Sequence, residues 1–404
     1  MHTPCAQQGT TVPPPQIHAI DTSVQRPERA LHAYLKANHA EHSLLYHGKL
    51  FHNHIPHLTR LSFVWGETKI LCSAYLLGAG PDDFGRLYQA ESQGLEPWTD
   101  SPSDITRQNW RQHLGKKEYE RAFLEFFQNE VDREGGDWKK VAADYLFSGE
   151  QPLINSVLAG AGHALIHLGY AYQFSNKEIG TEALTLAAID YSDIHEYLEN
   201  EAYWQIQPPY GSLSLFEILE RVRTDERLNG LRRPGYSNLE TIFGKLETPL
   251  LEHWNAWKLD DPVEQFRESQ WVAAAIASST GKHDFFLIHI LTTSHAIRVL
   301  FSLIPDEFRT PILRQWWLIT VALYVAQLRP EIKPWQISAH PLAERGWDWA
   351  ISAAVRGQHS TDAHYVKAIH ALNEACNLWG DPDAYFLKAA VKFADEFHGW
   401  SGFS

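Results

Sequence analysis

Cysteine is scarce in this chain of 404 residues: Cys5, Cys72 and Cys376 are the only three. An odd number at wide spacing builds neither a disulfide framework nor a cysteine-based zinc ribbon, and it suits a reducing compartment. Positive charge is also short, with 35 Lys and Arg against 49 Asp and Glu, a formal net charge of −14 and no basic cluster. Such a surface repels phosphate backbones and anionic lipid heads, which argues against nucleic acid or a membrane surface as partner. Long apolar runs are missing too. Trp316 to Ala326 is too short to span a bilayer, and Phe285 to Pro305 is interrupted by His289, His295 and Arg298. Met1 to about Pro15 lacks the basic-then-apolar order of a signal peptide and ends in Pro13-Pro14-Pro15. These absences lead to the expectation of a soluble, cytoplasmic protein with a flexible N-terminal leader over 1–28.

Strand patterning is absent as well. No run of β-branched residues alternates strictly, whereas apolar residues recur at i, i+3 and i+4 from Arg29 onward. The pattern predicts an all-α fold, one large single-domain helical bundle over 29–404. Expected helices cover 29–39, 54–78, 82–92, 117–133, 137–147, 152–173, 177–198, 214–225, 238–258, 263–278, 283–304, 308–328, 341–356, 362–378 and 382–396. Gly, Pro and Asp punctuate them, as in Gly80-Pro81-Asp82 and Gly380-Asp381-Pro382. The apolar share of 44% and aromatic share of 12% suffice for a continuous core and a cavity walled by rings. No fixed repeat appears, and Gln205 to Ser237 is the loosest internal stretch, a lid or surface excursion.

Familiar catalytic signatures fail one by one. Gly78-Ala79-Gly80 and Gly160-Ala161-Gly162 lack the third glycine of a dinucleotide fingerprint, since Asp83 and Leu165 stand there, and both sit among helices. Their glycines read as sites of close helix packing. His-Glu-x-x-His, Gly-x-Ser-x-Gly and a repeated Glu-x-x-His are all missing. Asp260-Asp261-Pro262-Val263-Glu264 resembles the acidic box of helical terpene cyclases, but Pro262 breaks the helix such a box requires, and a helix capped by Asp261 explains it better.

What the chain has in excess is histidine, 22 residues in all, the commonest metal-binding side chain. Four clusters place it on or at the start of apolar helices. In Phe51-His52-Asn53-His54-Ile55-Pro56-His57, Asn53 can cap a helix whose first turn holds His54, with His52 and His57 as alternates. His163 and His167 stand four apart, on one face of a helix rich in Gly and Ala. His289 is flanked by large apolar residues, His283 sits beside charges and reads as exposed, and His295 fits either role. Last, Thr361 or Asp362 can cap a helix that puts His364 and Lys367 on one side of its first turns. Each cluster also has an ordinary reading as packed or solvated histidine; together they argue for one metal ion held in the core.

These four stretches, in this order, resemble the questin oxidase-like family, helical proteins of fungal aromatic polyketide clusters. The likeness runs from about His47 to Leu378 through Asn53-His54-x-Pro56, Gly162-His163-x-Leu165-Ile166-His167, Phe286-Leu287-Ile288-His289 and Asp362-x-His364-x-x-Lys367. The resemblance implies an oxygenase that opens an anthraquinone ring by Baeyer–Villiger-like insertion, using O2 and non-haem iron (Fe2+/Fe3+). It implies His54, His163, His289 and His364 as metal ligands with a carboxylated Lys367, and leaves His57 and His167 as the rival positions. An anionic oxygen beside neutral imidazoles would favour the ferric state. His167, Tyr170 and Tyr365 are the candidates to handle protons. NADPH enters, if at all, as a diffusible reductant of the quinone. A metal-free, NADPH-assisted oxidase and a non-catalytic polyketide carrier are the competing readings.

Overall fold

The computed structural model describes residues 11–45, 67–149 and 151–403. Its architecture is the all-α bundle expected. The first helices are α1 (Arg26–Glu41), α2 (Glu67–Leu76), α3 (Pro81–Ser92), α4 (Glu120–Arg133), α5 (Trp138–Leu146), α6 (His163–Phe174) and α7 (Lys177–Ile189). The short α8 (Glu196–Glu199) and α9 (Glu201–Trp204) lead to α10 (Leu215–Thr224), α11 (Asn238–Lys245), α12 (Glu247–Asn255) and α13 (Pro262–Ser278). Then follow α14 (Ile288–Leu300), α15 (Asp306–Ala326), α16 (Pro334–Ser338), α17 (Trp347–Arg356), α18 (Ala363–Trp379) and α19 (Tyr385–Glu396). Pairing of extended backbone among the described residues is limited to isolated bridges, including Asp284 with Ser401. Among the described residues no helix is long and apolar enough to cross a membrane.

The described residues group into two compact units. One takes in described residues from 15–199 together with 351–370; the other takes in 11–14, 200–350 and 371–403. In the first, α7 is the central helix, buried on every face from Glu178 to Ile189 and packed on α6, α4 and α5. A helix buried all round has no solvent face to keep, and its acids Glu178 and Glu182 are paired inside. Gly180 makes its contact with α5 possible, because a Cβ there would lie 2.5 Å from the Trp138 ring. In the second unit α14 plays the same part, with every residue from Ile288 to Leu300 buried and with α13 and α15 against it. Asp261 caps α13 through the N–H groups of Val263 and Glu264, with Pro262 in the first turn, as the sequence led us to expect.

Some local readings change, the following among them. The helix expected over 152–173 is two 3₁₀ turns, Leu153–Ser156 and Gly160–Gly162, followed by α6. Gly160 and Gly162 serve that turn through their positive φ. The helix expected from 283 begins at Ile288, because the Asp284 side chain accepts the N–H groups of Phe286 and Leu287 and holds the chain in a turn. Within the expected leader, residues 15–25 carry contacts: the His18 N–H donates to the Gln173 carbonyl at 2.7 Å, and Ile20 is buried.

Candidate metal centre

His163 opens α6 because the chain before it turns left-handed, with φ of 58°, 58° and 77° at Gly160, Ala161 and Gly162. Two of those positions are glycine, which adopts such angles without steric cost. The turn aims the Gly160 carbonyl at His163 Nδ1, which donates to it. His289 is held the same way, its Nδ1 donating to the Phe285 carbonyl at 2.8 Å. With the proton kept on Nδ1, Nε2 is the nitrogen able to bind a metal, and fixing the second nitrogen in this manner is what metal-binding histidines require. His364 lies in the first turn of α18, where Asp362 Oδ1 accepts its N–H and that of Tyr365, both at 3.0 Å.

The ligand atoms of His163, His289 and His364 all lie within 4.8 Å of one another. None of the three side chains is exposed by more than 2%. An ion with bonds of about 2.1 Å is reached from such a cluster by small side-chain rotations. Buried imidazoles that converge, two of them with their Nδ1 protons engaged, can therefore coordinate a metal ion. One turn beyond His364, Lys367 is buried, and its Nζ has no hydrogen-bond partner among the described residues. Burial pushes its pKa down to about 7, against the opposing pull of Asp362 and Glu91. The chemistry fits a metal site: an amine with a large neutral fraction near pH 7, about half, can ligate, or capture CO2, where an ordinary lysine ammonium cannot.

The remaining candidates fall elsewhere. His54, His57 and His52 lie outside the described residues. His167 turns away to α7, its Nδ1 donating to the His163 carbonyl at 3.0 Å and its Nε2 standing 3.8 Å from Glu182. Glu182, nearly inaccessible, also accepts from His39 Nδ1 at 2.8 Å, and the Gln128 amide donates to His39 Nε2 at 2.7 Å. The Tyr170 hydroxyl lies 2.6 Å from that of Ser73, and Tyr365 is buried with its ring 5.5 Å from His359. His283, expected at the surface, is half-buried because the rings of Phe393 on α19 and Phe397 just after it pack against the imidazole, while Ser401 holds its carbonyl. His295 is buried beside Arg298, which pairs with Glu374. Glu91, Glu182 and His39 were not singled out from sequence. Glu91 carried a signal, since it continues the apolar stripe of Phe84 and Leu87 on α3. A second group able to hold a metal comprises Asp21, His32 and Glu178, although the Asn176 amide already bridges its carboxylates, at 2.8 and 2.9 Å.

Comparison with known proteins adds an independent line. A family model described as questin oxidase-like matches residues 51–372. The chain is 26% identical over 382 residues to a questin oxidase of Aspergillus fumigatus, covering 88% of this chain and 82% of that protein. It is 25% identical over 363 residues to the Baeyer-Villiger oxidase ptaJ of Pestalotiopsis fici, covering 84% and 78%. It is likewise 25% identical over 390 residues to the Baeyer-Villiger monooxygenase AacuH of Aspergillus aculeatus, covering 85% and 78%.

Proposed function

Because the chain belongs to the questin oxidase-like family and is an oxidoreductase, we propose that it opens the ring of an anthraquinone-type aromatic polyketide with O2, as a non-haem iron oxygenase. The cleavage is Baeyer–Villiger-like. The observation that carries this reading is the buried convergence of His163, His289 and His364 within 4.8 Å. We assign His54 as a fourth imidazole and Lys367 as the anionic oxygen donor. The Lys367 amine attacks CO2 and loses one proton, which yields a carbamate that behaves as a carboxylate on a long arm. Its single negative charge offsets part of the charge of a ferric ion, which neutral imidazoles leave uncompensated. Iron, when bound, supplies the one-electron chemistry that lets O2 react with an aromatic ring.

The protein's own share is binding, orientation and exclusion of water. Burial of the three imidazoles keeps solvent from them, and the Gly160 and Phe285 carbonyls hold two of the rings in the ligating tautomer. The proton-handling candidates are His167, Tyr170 and Tyr365, of which His167 has Glu182 3.8 Å from its Nε2. The uninterrupted family match over 51–372 supports treating 29–404 as one catalytic domain. Scarce cysteine fits the cytoplasm, and NADPH serves only as a diffusible reductant of the quinone.

Metal analysis paired with aerobic and anaerobic assays on an anthraquinone and its hydroquinone, with and without NADPH, tests the reading. About one iron per chain is expected, with ring opening that depends on both iron and O2. Full zinc occupancy with unchanged turnover, or turnover by metal-free protein with NADPH, would overturn it. Binding of the quinone without any turnover would make the protein a carrier.

A further inference from the structure

The first turn of α14, which carries His289, rests on a segment 118 residues further along the chain. Ser401 grips the His283 carbonyl twice, through its N–H at 2.8 Å and its hydroxyl at 3.0 Å, and its own carbonyl accepts the Phe285 N–H at 2.9 Å. The Phe403 ring packs on Phe285 and Phe286 at centroid distances of 4.9 and 5.5 Å, and Trp400 meets Phe285 at 6.1 Å. Gly402 adopts φ of 99°, and a Cβ there would stand 2.5 Å from the Asp284 carboxylate. That carboxylate holds the turn before α14 through Phe286 and Leu287. Phe285 is thus fixed at its N–H by Ser401 and at its ring by Phe403 and Trp400. It passes that order on: its carbonyl accepts from His289 Nδ1 at 2.8 Å, and its ring lies edge-on to the imidazole at 5.2 Å.

We propose that residues 400–403 form a brace that positions His289, holding Phe285 so that its carbonyl keeps the imidazole proton on Nδ1 and Nε2 toward the metal. The segment supplies no ligand, and the inference rests on His289 being one. Gly402 and Phe403 are positioning residues, placed so that a small change at either reaches His289 through Asp284 or Phe285. Loss of an outer partner of this kind weakens metal binding by roughly tenfold to a hundredfold.

Two measurements on the full-length protein decide it. The first is anaerobic titration with Co2+, read by its visible absorption. The second is the ¹⁵N-histidine NMR spectrum of the metal-free protein, read for exchange protection of the His289 Nδ1 proton. Gly402→Ala and Phe403→Ala are expected to weaken Co2+ binding by roughly tenfold or more and to lose that protection, with far-UV circular dichroism unchanged. Phe403→Tyr should restore both readouts. Gly230→Ala, at another left-handed glycine whose Cβ would meet nothing within 4 Å, is the matched control and should alter neither. Wild-type affinity together with a protected His289 proton in both Gly402→Ala and Phe403→Ala would overturn the brace. A wild-type protein that binds no Co2+, yet loses His289 protection in Gly402→Ala, would sink the metal reading and leave the brace standing.

Discussion

Lys367 is difficult to account for as an ordinary lysine. Burying an ammonium without a hydrogen-bonding partner costs several kcal/mol, typically about 1–3 for the lost hydrogen bonds alone. A carbamate on iron removes that cost by converting the group into a ligand. Lys367→Ala is therefore expected to lower iron content and abolish ring opening, and Lys367→Glu, with a shorter arm, to restore little. Labelling with ¹³C-bicarbonate reads the modification directly, and an unlabelled protein with full iron would end the idea. His289→Ala is likewise expected to lose the metal, whereas His283→Ala keeps it, as metal analysis of the two variants will show. His283 has a different effect, on stability. Burial pushes its pKa down to about 4, below the ordinary 6.5, so between those values the unfolded chain binds more protons and stability is lost as pH falls. The loss is at most on the order of 3 kcal/mol. Asp284, raised by burial to about 6, acts in the opposite sense over part of this window, so the comparison is between wild type and His283→Gln. The variant's melting temperature should fall less steeply between pH 6.5 and 4, and parallel curves would refute the assignment.

Helix starts, more than helix interiors, place the proposed metal-binding side chains. Asp362 and Asp261 are chemically alike as caps, yet one sits two residues before His364 and the other before an α13 that carries no proposed ligand. Asp362→Ala and Asp261→Ala should each cost about 1 kcal/mol of stability, but only the former should also weaken metal binding, as calorimetric melts and metal titration on both will report. Equal metal affinity would mean that the α18 cap does not aim His364. Both caps were legible in the sequence, because an Asp ahead of an apolar helix satisfies backbone donors locally. The periodicity of α7, α13 and α15 was legible for the same reason: it depends on neighbours three and four residues away. The left-handed turn over Gly160–Gly162 was not, since a Gly-Ala-Gly run serves close packing and positive φ equally well. Nor was the burial of His283, which depends on the rings of Phe393 and Phe397 and on Ser401, more than one hundred positions distant. Glu91 was legible in principle, as an acid on an apolar stripe, whereas Glu182 shows its importance only beside His39 and His167.

Across the whole molecule, the proposed ligands are dispersed along the chain. His163, His289 and His364 span more than two hundred residues of sequence, so an ion that joins them closes long loops, a constraint the unfolded chain lacks. Metal and fold are thus linked, and an ion that binds only the native state stabilises it by about 4 kcal/mol when present at a thousandfold its Kd. For a chain of this size each kcal/mol moves the melting temperature by about 2 °C, so chelation of the iron-loaded protein should lower it by several degrees. His289→Ala should melt like the chelated wild type and respond little to chelator. His32→Ala, which disrupts only the second metal-capable group formed with Asp21 and Glu178, should keep the full response. A melting temperature indifferent to chelator in wild type, or a response that vanishes in His32→Ala while persisting in His289→Ala, would move the stabilising ion from the three-histidine centre to the Asp21, His32 and Glu178 group.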